Sequence, residues 1–350
     1  MSTAVPGVGV SAAAMPAGSA DAAGLAGAVD SALPGFDAEF SSLDDYIRVI
    51  TARIWEGRQT DTIHRYYGAD CAVITPGGTS QGIDAVVRGT LETLQQFPDR
   101  RLLCEDIVSA GDAVRGFLSS HRIASSMTHC GDGVFGAATQ RQVQVRTVAD
   151  CVCVGNRIVH EWLVRDQGAI ALQLGHTPQA LARLWLQSRG APTLPLWQPP
   201  APAPWQDPVH TTAGARLLAD TYRALWAGRL AVLGQYADEA IALQLPNGQA
   251  AIGVAAAEAF WFGYTAAFHG ATLHIDSLCE RIEPGRTPRV AMRWRLTGRH
   301  TGGGRFGAAT QQPVEILGIT HAEVDHARGR ILREWVLIDE VALWMQLLSP

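Results

Sequence analysis

The stretch Phe135-Gly136-Ala137-Ala138-Thr139-Gln140 is repeated letter for letter as Phe306-Gly307-Ala308-Ala309-Thr310-Gln311, 171 positions later. Working outward at that offset, His129 falls on His300, Gly133 on Gly304, and Trp55-Glu56-Gly57-Arg58 on Trp226-Ala227-Gly228-Arg229. Near the end of each copy, Glu161-Trp162 and Glu334-Trp335 recur at a slightly larger offset, each followed at the same spacing by an aspartate, Asp166 and Asp339. Matches kept in one order over so long a stretch mark an internal duplication. A period of this length is a domain and not a solenoid unit, whose periods run about 20–50 residues. The 350-residue chain therefore divides into a tail (1–36), a first domain (37–188), a proline-rich linker (189–210) and a second domain (211–350).

Within the first copy, Leu43, Tyr46, Ile47, Ile50, Ile54 and Trp55 keep the spacing of an amphipathic helix ended by Gly57. A short helix over 61–67, a strand over 72–75 stopped by Pro76-Gly77-Gly78, and a helix over 83–97 follow. The period then changes to two, predicting strands at 102–109, 114–125, 142–154 and 157–166, and a last helix over 169–187. The second copy predicts helices at 213–227, 230–236 and 253–268 and strands at 239–245, 271–282, 289–299, 312–325 and 330–339, closed by a helix at 340–348. Helices first and long antiparallel strands after them imply an α+β fold, a curved sheet wrapped on N-terminal helices around a cone-shaped pocket.

Composition narrows the functions available. The net charge is −5 and no basic block interleaves with aromatics, so nucleic acid is excluded as a partner. No run approaches the ~18 apolar residues of a membrane helix. All 28 basic residues are arginine, which excludes a lysine Schiff base and a Walker A lysine. The six cysteines form no CxxC pair and Cys151 and Cys153 have no cysteine counterpart in the second copy, pointing to buried thiols in a reduced, cytoplasmic setting. No histidine or acidic spacing fits a metal site. The tail lacks both a basic n-region and large apolar residues, which reads as disorder and not as a secretion signal. The linker carries Leu194, Leu196, Trp197 and Trp205 among its prolines, so it is expected to lie against one or both domains.

The element order, a histidine in a glycine-flanked turn (His129-Cys130-Gly131; His300-Thr301-Gly302) and a late Glu-Trp-x-x-x-Asp resemble the SnoaL-like polyketide cyclases of the NTF2-like superfamily. The closest stretches are Arg299-His300-Thr301-Gly302-Gly303 and Glu161-Trp162-Leu163-Val164-Arg165-Asp166. The chain departs from the family in having Ala-Ala-Thr-Gln where a Pro-Thr-Gly-like loop is common, and Ile338 where the first copy has Arg165. The resemblance implies two cone folds arranged as an internal pseudo-dimer, open to further homo-oligomerisation. It also implies acid/base chemistry next to a carbonyl on a small, largely apolar substrate, without a cofactor, giving cyclase, isomerase or lyase activity. Carried over residue by residue, Asp166 and Asp339 would be the acid/base groups, with His129 and His300 holding the carbonyl oxygen.

The residues themselves leave alternatives open. On the strand 157–166, Ile158, His160, Trp162, Val164 and Asp166 share one face, which is expected to line the pocket. Trp162, Trp335, Arg165, His121, Trp55 and Tyr67 are the candidate substrate-binding side chains. A carboxylate on an apolar wall has its pKa raised and suits a general base. An aspartate ending a strand just before a helix is equally a helix N-cap. Histidines in a turn bond to backbone or water more often than to substrate, and tryptophans are commonly core. A pair of non-catalytic binding modules is the alternative function. Asp166 capping the amides at 168–169 would remove it as the base.

Overall fold

Two six-stranded mixed sheets, one per copy, form the frame of the molecule. The structure is a computed structural model that describes residues 33–196, 198, 205 and 207–349. The expected disorder of residues 1–32 and the position of Trp197 lie outside the described residues.

The first copy runs α1 (Leu43–Thr51), α2 (Ile63–Tyr66), β1 (Tyr67–Thr75), β2 (Gly78–Gln81), α3 (Ile83–Gln96), β3 (Arg101–Asp112), β4 (Gly116–Thr128), β5 (Gln142–Val154), β6 (Arg157–Arg165), α4 (Gln167–Leu174) and α5 (Pro178–Arg189). The second runs α6 (Ala213–Trp226), α7 (Val232–Tyr236), β7 (Ala237–Leu245), β8 (Gln249–Ile252), α8 (Val254–Ala267), β9 (Thr272–Arg281), β10 (Arg289–Arg299), β11 (Pro313–Asp325), β12 (Arg330–Ile338) and α9 (Glu340–Leu347). Strand orders β2-β1-β6-β5-β4-β3 and β8-β7-β12-β11-β10-β9 are the same path taken twice. The four long strands of each copy are antiparallel, and β1 and β7 add in parallel to β6 and β12. Each copy is an α+β cone, its sheet wrapped on its own helices, and the two pack on each other as an internal pseudo-dimer.

Three local differences from the sequence reading have simple causes. Pro76-Gly77 does not stop the sheet but turns it, pairing Thr75 with Gly78 to make β2. The helix expected over 169–187 is two helices. Gly175 takes φ 97° in the left-handed region, and Thr177 caps a new helix with Pro178 at its first position. Leu33 and Phe36, placed in the tail by sequence, pack on the first core, where Phe36 meets the edge of Tyr46 at 4.9 Å.

The convex faces of the sheets pack back to back. Val148, Trp162 and Val164 meet Leu317, Ile319 and Leu337 in one apolar core. Arg293 lies 3.4 Å from the ring centroid of Trp162, and Arg122, its counterpart, 3.7 Å from that of Trp335. Arg293 also meets Asp150 at 3.0 Å, so this buried cation is paired. The linker closes the seam: Leu196 is buried there, and Trp205 sits 4.3 Å from the ring of His160. At the other end α9 packs against α5, with Val341 and Met345 in one cluster with Leu181 and Trp185. No helix among the described residues is long and apolar enough to cross a membrane.

Candidate functional site

The first copy encloses a cavity of about 440 Å³ between its helices and the concave face of its sheet. Helix α1 delivers Ile47 and Ile50, then widens into a π-helical turn (Ala52–Glu56) closed by the Gly57 amide on the Ala52 carbonyl. That extra residue per turn re-aims Ile54 and Trp55 into the cavity, a device frequent at functional sites. Strand β4 contributes His121 and Ile123, β5 Thr147 and Ala149, and β6 Glu161, Leu163 and Arg165.

The pocket face of β6 is therefore the opposite of the expected one. His160, Trp162 and Val164 turn outward, because the apolar face of this strand is covered by the second sheet and not by helices. Trp162 is 3% exposed in that seam, and Trp335 occupies the pseudo-symmetric place. Neither lines the cavity, which corrects the substrate-binding assignment of both. Arg165, His121, Trp55 and Tyr67 do line it.

Asp166 is not free to act as a base. It caps α4 by accepting from the Ala169 amide at 3.0 Å, and the second copy's Asn247 and Gly248 amides donate to its two oxygens at 2.9 and 2.8 Å. Burial still pushes its carboxyl up to about 6, partly offset by those three amides. Its pseudo-symmetric mate differs. Asp339 caps α9 through one oxygen, Oδ1, which accepts from Val341 at 2.9 Å and Ala342 at 3.2 Å. Asp339 crosses the seam to line the cavity of the first copy, beside Arg165. Burial pushes its carboxyl up to about 7.

His129 and His300 are placed by the motif that betrayed the duplication. The His129 ring meets both Phe97 and Phe135, and the His300 ring meets Phe268, which in turn packs on Phe306. Nδ1 meets Thr139 Oγ1 at 3.2 Å in one copy and Thr310 Oγ1 at 3.1 Å in the other. Gln140 and Gln311, both at positive φ, return their amides to the histidine carbonyls. The hexapeptide is thus a clamp on a buried histidine. Burial lowers the pKa of both rings, which lie outside the cavity lining, a correction to their catalytic assignment.

The carboxylate that β6 itself turns into the cavity is Glu161, which belongs to the sequence motif but was not among the expected bases. Its one hydrogen bond among the described residues comes from the Tyr67 hydroxyl at 3.1 Å. Burial raises its pKa to about 7, with Tyr67 and Arg165 pulling the other way. Around it stand buried polar atoms without partners among the described residues: Arg100 Nη1, His121 Nε2, Thr147 Oγ1, Arg165 Nε and Gln167 Oε1. Desolvation lowers His121 to about 4, so its imidazole is neutral. Buried polar groups are normally paired, and a cluster of orphans around one cavity is what a bound ligand would satisfy.

The cone of the second copy is filled. At the registers of Thr51, Gly89, Thr90, Thr93 and Ile123 it carries Tyr222, Phe260, Trp261, Tyr264 and Trp294. Trp261, Trp294, Tyr222 and Tyr264 are among its largest fully buried side chains. Gly318 replaces Thr147 because a Cβ there would fall 2.2 Å from the Trp294 ring. Glu334, the counterpart of Glu161, accepts from Tyr222 at 2.6 Å within this aromatic packing.

The sequence model of the SnoaL-like polyketide cyclases matches residues 47–174 and again 216–347. Similar solved structures include a SnoaL-like protein from Jannaschia sp. CCS1, with 18% identity over 41% of this chain and 97% of that one at a TM-score of 0.35. IdmH from Streptomyces antibioticus has 22% identity over 39% of this chain and 99% of that one, with a TM-score of 0.32. TsrD from Streptomyces laurentii has 17% identity over 38% and 93%, with a TM-score of 0.33. No curated protein matches the chain.

Proposed function

The chain belongs, through both of its halves, to the SnoaL-like polyketide cyclase family, and from that premise we propose that its first cone is a cofactor-independent acid/base site. It would abstract a proton from carbon next to a carbonyl of a small, largely apolar substrate and so drive cyclisation, isomerisation or cleavage. The observation that carries this reading is Glu161, a buried carboxylate whose single hydrogen bond among the described residues comes from Tyr67, facing a cavity on which five other buried polar atoms lack partners among those residues.

A carboxyl raised to about 7 holds either protonation state near neutral pH, as a group that takes and returns one proton must. Glu161 takes the proton from the α-carbon, and the electron pair moves onto the carbonyl oxygen as an enolate. Neutral His121 and the Thr147 hydroxyl supply hydrogen-bonding groups for that oxygen in a site sheltered from water, where such dipoles are worth more than in bulk solvent. Protonated Glu161 then returns its proton to the new carbon or oxygen. The second copy serves as the built-in partner, covering the outer sheet face and sending Asp339 into the site.

The test does not require knowing the product. Small ketones and keto acids are incubated with the protein in D2O, and deuterium wash-in at the α-carbon is followed by proton NMR. Wash-in that Glu161→Gln abolishes supports the reading. Wash-in unchanged in Glu161→Gln, or none across the set, sinks it in favour of a binding module.

A further inference from the structure

Arg100 is a cation buried without an anion among the described residues. It lines the cavity of the first copy at 4% exposure. Its Nε and Nη2 both donate to Ser125 Oγ, at 3.3 and 3.2 Å, and its guanidinium lies 4.4 Å from the ring centroid of Trp55. These contacts fix the group without neutralising it, and Nη1 keeps no partner among the described residues. The other charges on the lining are already engaged. Glu161 and Asp339 act on Arg165, and Glu92 acts on Arg189. The charge that bears on Arg100 is that of Arg165, which repels it. Arginine does not shed its proton inside proteins, and an ion buried unpaired is costly. The second copy shows the alternative: Ala271 and Ile338 stand at the places of Arg100 and Arg165, and that cone is filled with rings.

We propose that the ligand of the first cone is a largely apolar organic acid whose carboxylate docks on Arg100 Nη1, with Arg165 Nε as its second donor. The apolar body of the acid would lie along Ile47, Ile50, Ile54 and Ile123. The inference rests on this cavity being the ligand site and deepens the proposed function by naming the substrate class, but it does not depend on which group is the base.

The test is a matched pair of probes, 2-naphthoate and the neutral 2-naphthamide, titrated calorimetrically into the full-length protein at low salt. The acid is expected to bind at least about tenfold more tightly, the scale of one charge-assisted contact. Arg100→Leu removes that preference while the amide still binds. Arg100→Lys, which keeps the charge should the leucine variant not fold, retains part of it. Glu161→Gln loses wash-in but keeps the preference for the acid, so failure of the catalytic reading is separable from failure of this one. Equal affinity for the two probes overturns the proposal, as does a preference that survives in Arg100→Leu or an acid that shows no saturable binding. Displacement of 2-naphthoate by chloride at matched concentration also overturns it, since the site would then be one for inorganic anions.

Discussion

The two cones share strand order, register and a buried glutamate that accepts from a tyrosine, supplied by β1 in one copy and by α6 in the other, yet one is open and the other packed solid. Burial pushes both glutamates to about 7, so a raised pKa by itself does not mark a site. Free volume next to the carboxylate does, together with polar atoms that nothing in the protein satisfies. The open cone keeps threonine, glycine and isoleucine where the packed one has tyrosine, phenylalanine and tryptophan. It also keeps His121 and Arg165 where the packed one has Met292 and Ile338. On the function proposed above, duplication has separated two duties that a symmetric dimer would perform twice, one copy holding the ligand and the other holding the fold.

The largest effect that could break this division is on turnover. Glu161→Gln is expected to lower the rate of α-carbon exchange by about 100-fold or more, the range for loss of a general base. Glu334→Gln should leave it within about twofold, because no substrate reaches that group. Equal losses would mean that both cones work. Next comes packing. Trp261→Ala is expected to cost about 3–5 kcal/mol in denaturant unfolding, as for other buried tryptophans, with exchange unaffected. In the open cone the converse holds at Gly89, where an added Cβ meets nothing within 4 Å. Gly89→Phe should abolish probe binding and leave the unfolding midpoint close to the parent value.

A third comparison uses pH. Glu334 titrates near 4.5 unfolded and about 7 folded, so between those values the folded chain holds the extra proton. Stability present below pH 4.5 is then lost as pH rises through 7, by an amount on the order of 3 kcal/mol for a group so deeply buried. Glu161 adds a similar loss, reduced by whatever water the cavity admits. Thermal unfolding followed from pH 4.5 to 8 should show a falling midpoint, and Glu334→Gln should flatten it without touching exchange. A pH dependence of the midpoint that is the same in Glu334→Gln as in the parent would contradict the burial argument for that glutamate.

The duplication, the order of elements and the cone itself could be read in the chain because hydrophobic period and repeated motifs report local structure directly. The filling of the second cone was also written there, in the Thr51/Tyr222, Thr90/Trp261 and Ile123/Trp294 pairs at one offset. Which face of β6 looks inward was not. Both faces of that strand are buried, one under helices and one under a sheet, so alternation separates the faces without saying which covers the site. The more apolar face went to the sheet-sheet seam. Arg100 escaped notice for a different reason: a lone arginine after a helix has no sequence signature, and its lack of a counter-ion exists only in three dimensions.

The smallest effect separates the two aspartates, and it bears most directly on how the copies depend on each other. Asp166 uses both oxygens on three backbone amides, two of them from the other copy. Asparagine offers a single acceptor oxygen there, so Asp166→Asn should strand a buried amide and cost about 1–2 kcal/mol of stability, with exchange unchanged. Asp339 uses one oxygen as a cap, and asparagine caps a helix as well as aspartate does. Asp339→Asn should therefore melt within about a degree or two of the parent. Its charge, however, sits beside Arg165 at the edge of the cavity. Removing it frees Arg165 to act more strongly on Glu161, drawing that carboxyl down and moving the acid limb of the pH–rate profile to lower pH, with a rate change of roughly fivefold, about 1 kcal/mol. A merely structural Asp339 would shift the melting midpoint and leave the pH profile where it was, and Asp166→Asn is the control that does so.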